Sequence, residues 1–252
     1  HNVNNPLLCV PKKSGGLVVP GQGRVCIDPR PLNSGLESDD QFEIPQIRRQ
    51  LEKFAGAIIF GELDLEEAFL QFPVDEDSRH LLCFTWEGVQ YRFTCMPFGV
   101  KFMTSFCHRF VSSVVREAGL EFADPFVDNI PFASNSWDEH RDHLAAILRL
   151  CNKLNLKVKI SSIKVGYSKM KLLGHVISSE GVSIDPNKMN SILEWPRPTS
   201  GEQMESFLGF AGFVRQHIRH FSEIITPLIA VKQNKQIDWT EELETAFSTL
   251  KQ

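Results

Sequence analysis

Residues 57–69 read AIIFGELDLEEAF. A run of branched and aromatic side chains that ends in acids reads as a buried strand delivering Glu62, Asp64, Glu66 and Glu67 to its end. About sixty residues further on, 122–134 read FADPFVDNIPFAS, which predicts a hairpin with Asp128-Asn129 as its two-residue turn. Carboxylates presented from strand ends suit Mg²⁺, a hard cation that binds through one or two carboxylates plus substrate phosphates. A strand-end acid and an ordinary hairpin turn account for the same residues, and spacing alone favours that plainer reading.

Local signals outward from this pair predict a mixed chain. LLCVPK and RVCID read as short strands separated by a glycine-rich SGGLVVPGQG, with Lys12, Lys13 and Arg24 at the tip or flanks. PQIRRQLEKFAG reads as a helix stopped by Gly56, and LLCFTWEGVQYRFTCMPFG as two strands joined at Glu87-Gly88. A helix is expected from about Thr104 to Ala118. Ser136 with Glu139, and Ser200 with Gln203, form capping boxes; Asp185 with Pro186, and Thr240 with two glutamates, open further helices. LKVKI and MKLLGHVIS are of β type, and Pro131 removes a ladder donor and interrupts the strand after the 128–129 turn. His140 and His143 have HxxH spacing, for which a solvated helix face is the expected setting, as it is for His217 and His220.

The chain has 252 residues, 42% of them hydrophobic, and a net charge of −4, enough for one large domain or a few small subdomains. No apolar run approaches the roughly 18 residues a bilayer requires, which excludes a membrane protein. Six scattered cysteines without CxxC spacing read as free thiols of the cytosol or nucleus. The charge is uneven: residues 61–150 carry 15 acids against 7 bases, whereas from His143 to Ser179 there is no acid at all. Arg149, Lys153, Lys157, Lys159, Lys164, Lys169 and Lys171 fall in that stretch, as a phosphate-facing strip or as a solvated face.

The segments CVPKKSGG, RVCIDPRPLN, IPQIRRQLEKFAGAIIFGELDLEEAF, YRFTCMPFG, FVDN, LLGHVISSEGVSIDP and WPRPTSGEQMESFLGFAGFVRQHI occur in one order. In that order the chain resembles the reverse transcriptases of gypsy-type long-terminal-repeat retrotransposons, from about Leu7 to the final helix. The resemblance implies an α+β right-hand polymerase with an RRM-like palm sheet and a helical thumb. It places partial fingers at 1–39, palm at 40–71, fingers at 72–102, palm at 103–178 and thumb at 179–252, with further finger strands before His1 and an RNase H part beyond Gln252. It implies that Asp64 and Asp128 are catalytic and metal-binding carboxylates, with the carbonyl of Leu65 as a further ligand. Lys12 and Arg24 would grip the triphosphate, Phe69 would exclude a ribose 2′-hydroxyl, and Phe98 and Gly99 would lie under the incoming nucleotide. Leu173, Gly174 and His175 match the primer grip.

The sequence departs from that family where two-metal chemistry is most demanding. Asn129 stands at the second acid of the YxDD turn, so two carboxylates remain where three normally balance two cations. Phe126 replaces the tyrosine, VKFMTSFCH replaces a small polar stretch, and Ser162 stands at an expected lysine. These departures imply a degenerate, catalytically impaired or inactive domain retained as a protein- or nucleic-acid-binding scaffold. The alternative is an active RNA-directed DNA polymerase, with Asn129 natural or a deliberate knockout. An active enzyme requires Mg²⁺ or Mn²⁺ and an RNA/DNA template-primer; a scaffold requires no cofactor and, in its protein-binding form, a protein partner. For that partner Phe102, Met103 and Phe106 form a candidate surface, with helix core as the competing setting.

Overall fold

A computed structural model describes residues 3–14, 17–37 and 47–251; the side chains of 12–14, 17–22, 24, 47, 48 and 216 lie outside the description. The elements in chain order are β1 (Leu7–Ser14), β2 (Leu17–Ile27), α1 (Arg30–Gly35), α2 (Ile47–Phe54), β3 (Ile59–Asp64), β4 (Cys83–Trp86), β5 (Val89–Arg92), α3 (Met103–Glu117), β6 (Asn129–Ser134) and α4 (Trp137–Lys153). They continue with β7 (Lys164–Tyr167), β8 (Lys169–Leu172), β9 (His175–Ser178), β10 (Gly181–Ile184), α5 (Pro186–Leu193), α6 (Gly201–Phe213), α7 (Phe221–Ala230) and α8 (Glu241–Leu250). The chain divides into two compact units, His1–Met170 with Ser178–Glu180, and Lys171–Ile177 with Gly181–Gln252.

At the centre of the first unit is a three-stranded antiparallel sheet in the order β6-β3-β7. Strand alternation splits β3 into two faces. Leu63, and Leu65 just beyond the strand, point into a core with Ile130 and Phe132 of β6, Met103, Cys107 and Val111 of α3, and Ile147 and Cys151 of α4. Glu62 and Asp64 take the other, partly open face. Gly61 faces Phe132 in register, and a Cβ there would overlap the Phe132 ring. The second unit has its own core, in which Met204, Phe207 and Ala211 of α6 meet Leu228 of α7 and Leu243 and Phe247 of α8.

Locally coded features are where the sequence places them. Ser136, Ser200 and Thr240 accept from the backbone N–H of Glu139, Gln203 and Leu243, and Asp185 from that of Asn187. Gly56 follows α2 at φ 85°. None of the six cysteines is in a disulfide. No helix among the described residues is long and apolar enough to cross a membrane.

Four expectations are corrected. The opening hairpin pairs far beyond LLCVPK and RVCID, from Leu7↔Ile27 to Ser14↔Leu17, so most of the glycine-rich stretch is strand. β6 runs through Pro131, which pairs with Glu62; β6 is an edge strand, where a missing donor costs no ladder bond. LKVKI is not a strand: only Val158 bridges, to Leu65, and the pairing segment is β7. His140 is buried rather than solvated, stacked on Phe132 with ring centroids 4.7 Å apart, and His143 stacks on Phe122 at 3.6 Å. Both histidines meet the hydroxyl of Ser134, at 3.0 and 2.8 Å.

Candidate active site

The β3–β6 register brings the two acidic segments together, pairing Asp64 with Asn129. Beyond the strand end the ladder continues, since Leu65 N–H donates to the carbonyl of Asp128 at 2.8 Å and Lys159 N–H to that of Asp64 at 2.8 Å. Asp64 and Asp128 are half-buried at adjacent strand ends, and Oδ2 of Asp64 accepts from the hydroxyl of Ser162 at 3.2 Å.

The turn is shifted by one residue from the sequence expectation. Phe126 and Asn129 exchange both backbone hydrogen bonds, at 2.8 and 3.0 Å, so Val127 and Asp128 are the turn residues and Asn129 already belongs to β6. Val127 has φ 58°, a conformation that a β-branched residue adopts only under constraint. Two neighbours on α3 supply that constraint. Val127 N–H donates to Nδ1 of His108 at 3.2 Å, and Sγ of Cys107 donates to the Val127 carbonyl at 3.5 Å. Burial pushes the His108 imidazole below its ordinary value, with the charge of Asp124 opposing, which keeps Nδ1 available as an acceptor. Burial, reinforced by the charge of Asp128, pushes the Cys107 thiol up to about 12, so it remains a donor.

Asn129 turns its amide toward an acid. Its Nδ2 donates to Oε1 of Glu62 at 2.7 Å, and Nζ of Lys164 donates to Oε2 of Glu62 at 3.1 Å. Oδ1 of Asn129 is buried and has no hydrogen-bond partner. His108, Val127 and Glu62 were not legible as site residues. The one available signal was Glu62 sharing the β-strand period of Asp64, and nothing in sequence linked it to a partner 67 positions away.

Phe69 and Phe98 lie together, ring centroids 5.4 Å apart. Gly99 has φ 93°, and a Cβ there would come 2.7 Å from Pro29, so only glycine fits. Lys12 and Arg24 are within the opening hairpin, and their side chains lie outside the description. In the second unit Leu173 and Gly174 form the turn between β8 and β9, with φ 49° and 79°. His175 is buried, its ring 4.8 Å from Phe213, and its Nδ1 donates to the Leu173 carbonyl at 3.2 Å. All seven residues of the basic strip are exposed, but Lys164 is paired with Glu62 and Lys171 with Asp185 at 3.0 Å. Met103 is fully buried and Phe102 packs against the first core, which removes most of the apolar surface expected there; Phe106 remains partly exposed beside Phe72.

The donors around Asp64 and Asp128 are hard oxygens: two carboxylates and the unpartnered Oδ1 of Asn129. In type they fit a single Mg²⁺ or Mn²⁺. Among the described residues no group of three or more His, Cys, Asp or Glu side chains is placed to hold a metal ion.

A family model described as reverse transcriptase (RNA-dependent DNA polymerase) matches residues 10–177. The chain is 30% identical over 251 residues to the retrovirus-related Pol polyprotein from transposon 412 of Drosophila melanogaster, covering 98% of this chain and 20% of that protein. To the transposon Tf2-7 polyprotein of Schizosaccharomyces pombe it is 27% identical over 248 residues, 98% of this chain and 18% of that one. The chain thus spans about one-fifth of the length of these relatives. Among solved structures, a foamy viral protease-reverse transcriptase in complex with double-stranded DNA superposes with a TM-score of 0.84 at 24% identity, over 98% of this chain and 44% of that one. The foamy viral protein in complex with an RNA/DNA hybrid gives 0.79 at 23%, over 98% and 33%. This chain shares their polymerase fold.

Proposed function

The chain belongs to the reverse transcriptase (RNA-dependent DNA polymerase) family, and from that premise we propose that it is the polymerase domain of a gypsy-type retroelement whose catalysis is impaired while its hold on nucleic acid is kept. The observation that carries this reading is the pairing of Asp64 with an amide, Asn129, whose own donor is committed to Glu62. Fingers at 1–39 and 72–102, palm at 40–71 and 103–178, and thumb at 179–252 are the divisions we assign. Lys12 and Arg24 toward the triphosphate, and Leu173, Gly174 and His175 toward the primer, are the roles that go with them.

Asp64, Asp128, the Leu65 carbonyl and Oδ1 of Asn129 are the groups that would hold a divalent cation. When bound, such a cation supplies Lewis-acid activation of a primer hydroxyl and charge neutralisation at a triphosphate. The chain's own part is to fix the two carboxylates by backbone ladder bonds, to seat Phe69 against Phe98 at the nucleotide side, and to present exposed lysines to phosphates. Loss of a third carboxylate removes one unit of negative charge where two cations need it, an effect worth several kcal/mol in a partly buried site.

Template-primer binding is supported by the complexes of the foamy viral relative with double-stranded DNA and with RNA/DNA hybrid. A second reading, an active polymerase, is favoured by the backbone ladder, which sets Asp64 and Asp128 at adjacent strand ends. Fluorescence anisotropy with an RNA/DNA primer-template, run alongside primer extension in Mg²⁺ and in Mn²⁺, separates them. The proposal expects binding that weakens several hundredfold, to order of magnitude, between about 50 and 200 mM salt, without extension. Extension by the unaltered chain would establish the active reading. Absence of binding at low salt would sink both.

A further inference from the structure

Residue 129 is matched to a charge on the neighbouring strand. Glu62 lies on the same face of β3 as Asp64, with its side chain 17% exposed, and accepts from two donors: the Asn129 amide at 2.7 Å and the Lys164 ammonium at 3.1 Å. A flipped amide would set Oδ1 against a carboxylate oxygen, so the chemistry fixes which way Asn129 points. An aspartate at 129 has no donor to offer. It would meet Glu62 carboxylate to carboxylate, with only the half-exposed Lys164 to offset the repulsion.

We propose that Glu62 is a positioning residue of the acidic centre that selects an amide at 129, so that a third carboxylate there is compatible with the site only when residue 62 has lost its charge. The inference rests on reading Asp64, Asp128 and position 129 as a polymerase centre, but its own content is the coupling between 62 and 129. It makes Asn129 half of a compensated pair rather than an isolated lesion, and Asn129→Asp alone an incomplete repair. A glutamine at 62 keeps the shape of the side chain, and its amide can donate to an aspartate at 129 while the second oxygen of that aspartate stays free.

The test is a four-chain cycle: wild type, Asn129→Asp, Glu62→Gln and the double variant, each unfolded in urea without divalent cation. Asn129→Asp is expected to lower the folded-to-unfolded ratio on the order of thirtyfold in the wild-type background and by less than about fivefold in the Glu62→Gln background. An equal loss in both backgrounds overturns the proposal. Primer extension with Mn²⁺ on the same four chains supplies a readout that stability alone does not move. The double variant is expected to extend at least roughly tenfold faster than Asn129→Asp, and measurable but equal extension by the two overturns the proposal. If no chain extends, catalysis is lost beyond position 129, which the proposed function allows, and the urea cycle alone upholds or overturns the coupling of 62 and 129.

Discussion

Two tight turns, one in each unit, are built from similar parts and held in opposite ways. Val127–Asp128 has positive φ at its first residue only, whereas Leu173–Gly174 has it at both, as a type I′ turn requires. Each is backed by a buried histidine, but His108 accepts from the turn's N–H and His175 donates to the turn's carbonyl. The second turn carries half of its conformation in its sequence, since Gly174 takes its φ of 79° without strain while Leu173 is held at 49°, and a Cβ at 174 would also come 2.7 Å from Phe213. The first does not: valine is a poor residue for its backbone, and α3 imposes the shape from outside. A turn specified locally is expected to survive loss of its histidine, and a turn imposed from outside is not.

Gly174→Ala gives the largest expected effect, because strain at positive φ and overlap with Phe213 add. Roughly 3 kcal/mol of stability should be lost, read by urea denaturation. A loss below about 1 kcal/mol would show that the second turn is also imposed by its surroundings.

His108→Leu comes next. It leaves the Val127 N–H without its acceptor and should cost about 2 kcal/mol, with hydrogen exchange at the Val127 amide rising while the Leu173 turn is unchanged. Acid provides a reversible version of the same change. Burial holds both His108 and His175 below the ordinary 6.5, so the unfolded chain takes up these protons first. Their contribution to stability is complete above about pH 6.5 and is lost as pH falls below it. Protonation at Nδ1 abolishes the His108 bond but leaves the His175 donor intact. Exchange at Val127 should therefore accelerate on acidification before exchange around Leu173 does, and simultaneous acceleration would erase the contrast. Val127→Gly is the smallest change: relief of strain should outweigh the added chain entropy and stabilise the fold by about 1 kcal/mol. Destabilisation instead would mean that the valine side chain matters more to the core than its backbone angle costs.

The same contrast marks what was readable in the sequence. Ser136, Ser200, Asp185 and Thr240 announce helix starts because a cap bonds within three residues of itself, and Glu87-Gly88 announces a hairpin because its glycine takes positive φ freely, with Glu87 following at φ 48°. The polymerase fold was legible through ordered motifs along the chain. What was not legible depends on partners far away in sequence. The turn was misplaced by one residue because Asn is a better turn former than Val, a preference overridden by Cys107 and His108. Pro131 looked like a strand breaker until β6 proved to be an edge strand. His140 and His143 looked solvated because nothing near them in sequence predicts the rings of Phe132 and Phe122 or the buried hydroxyl of Ser134.

The ring of Phe132 lying over Gly61 has an evolutionary consequence. Copies of this chain drifting free of selection for polymerisation would still be purged of side chains at 61, because folding and not chemistry forbids them. Asp64 at the end of β3 and Asp128 in the turn before β6 are half-buried and under no such steric exclusion. Among sibling copies in one genome, a fixed glycine with scattered residues at 64 and 128 would mark selection for a folded scaffold. All three held together would mark selection for synthesis.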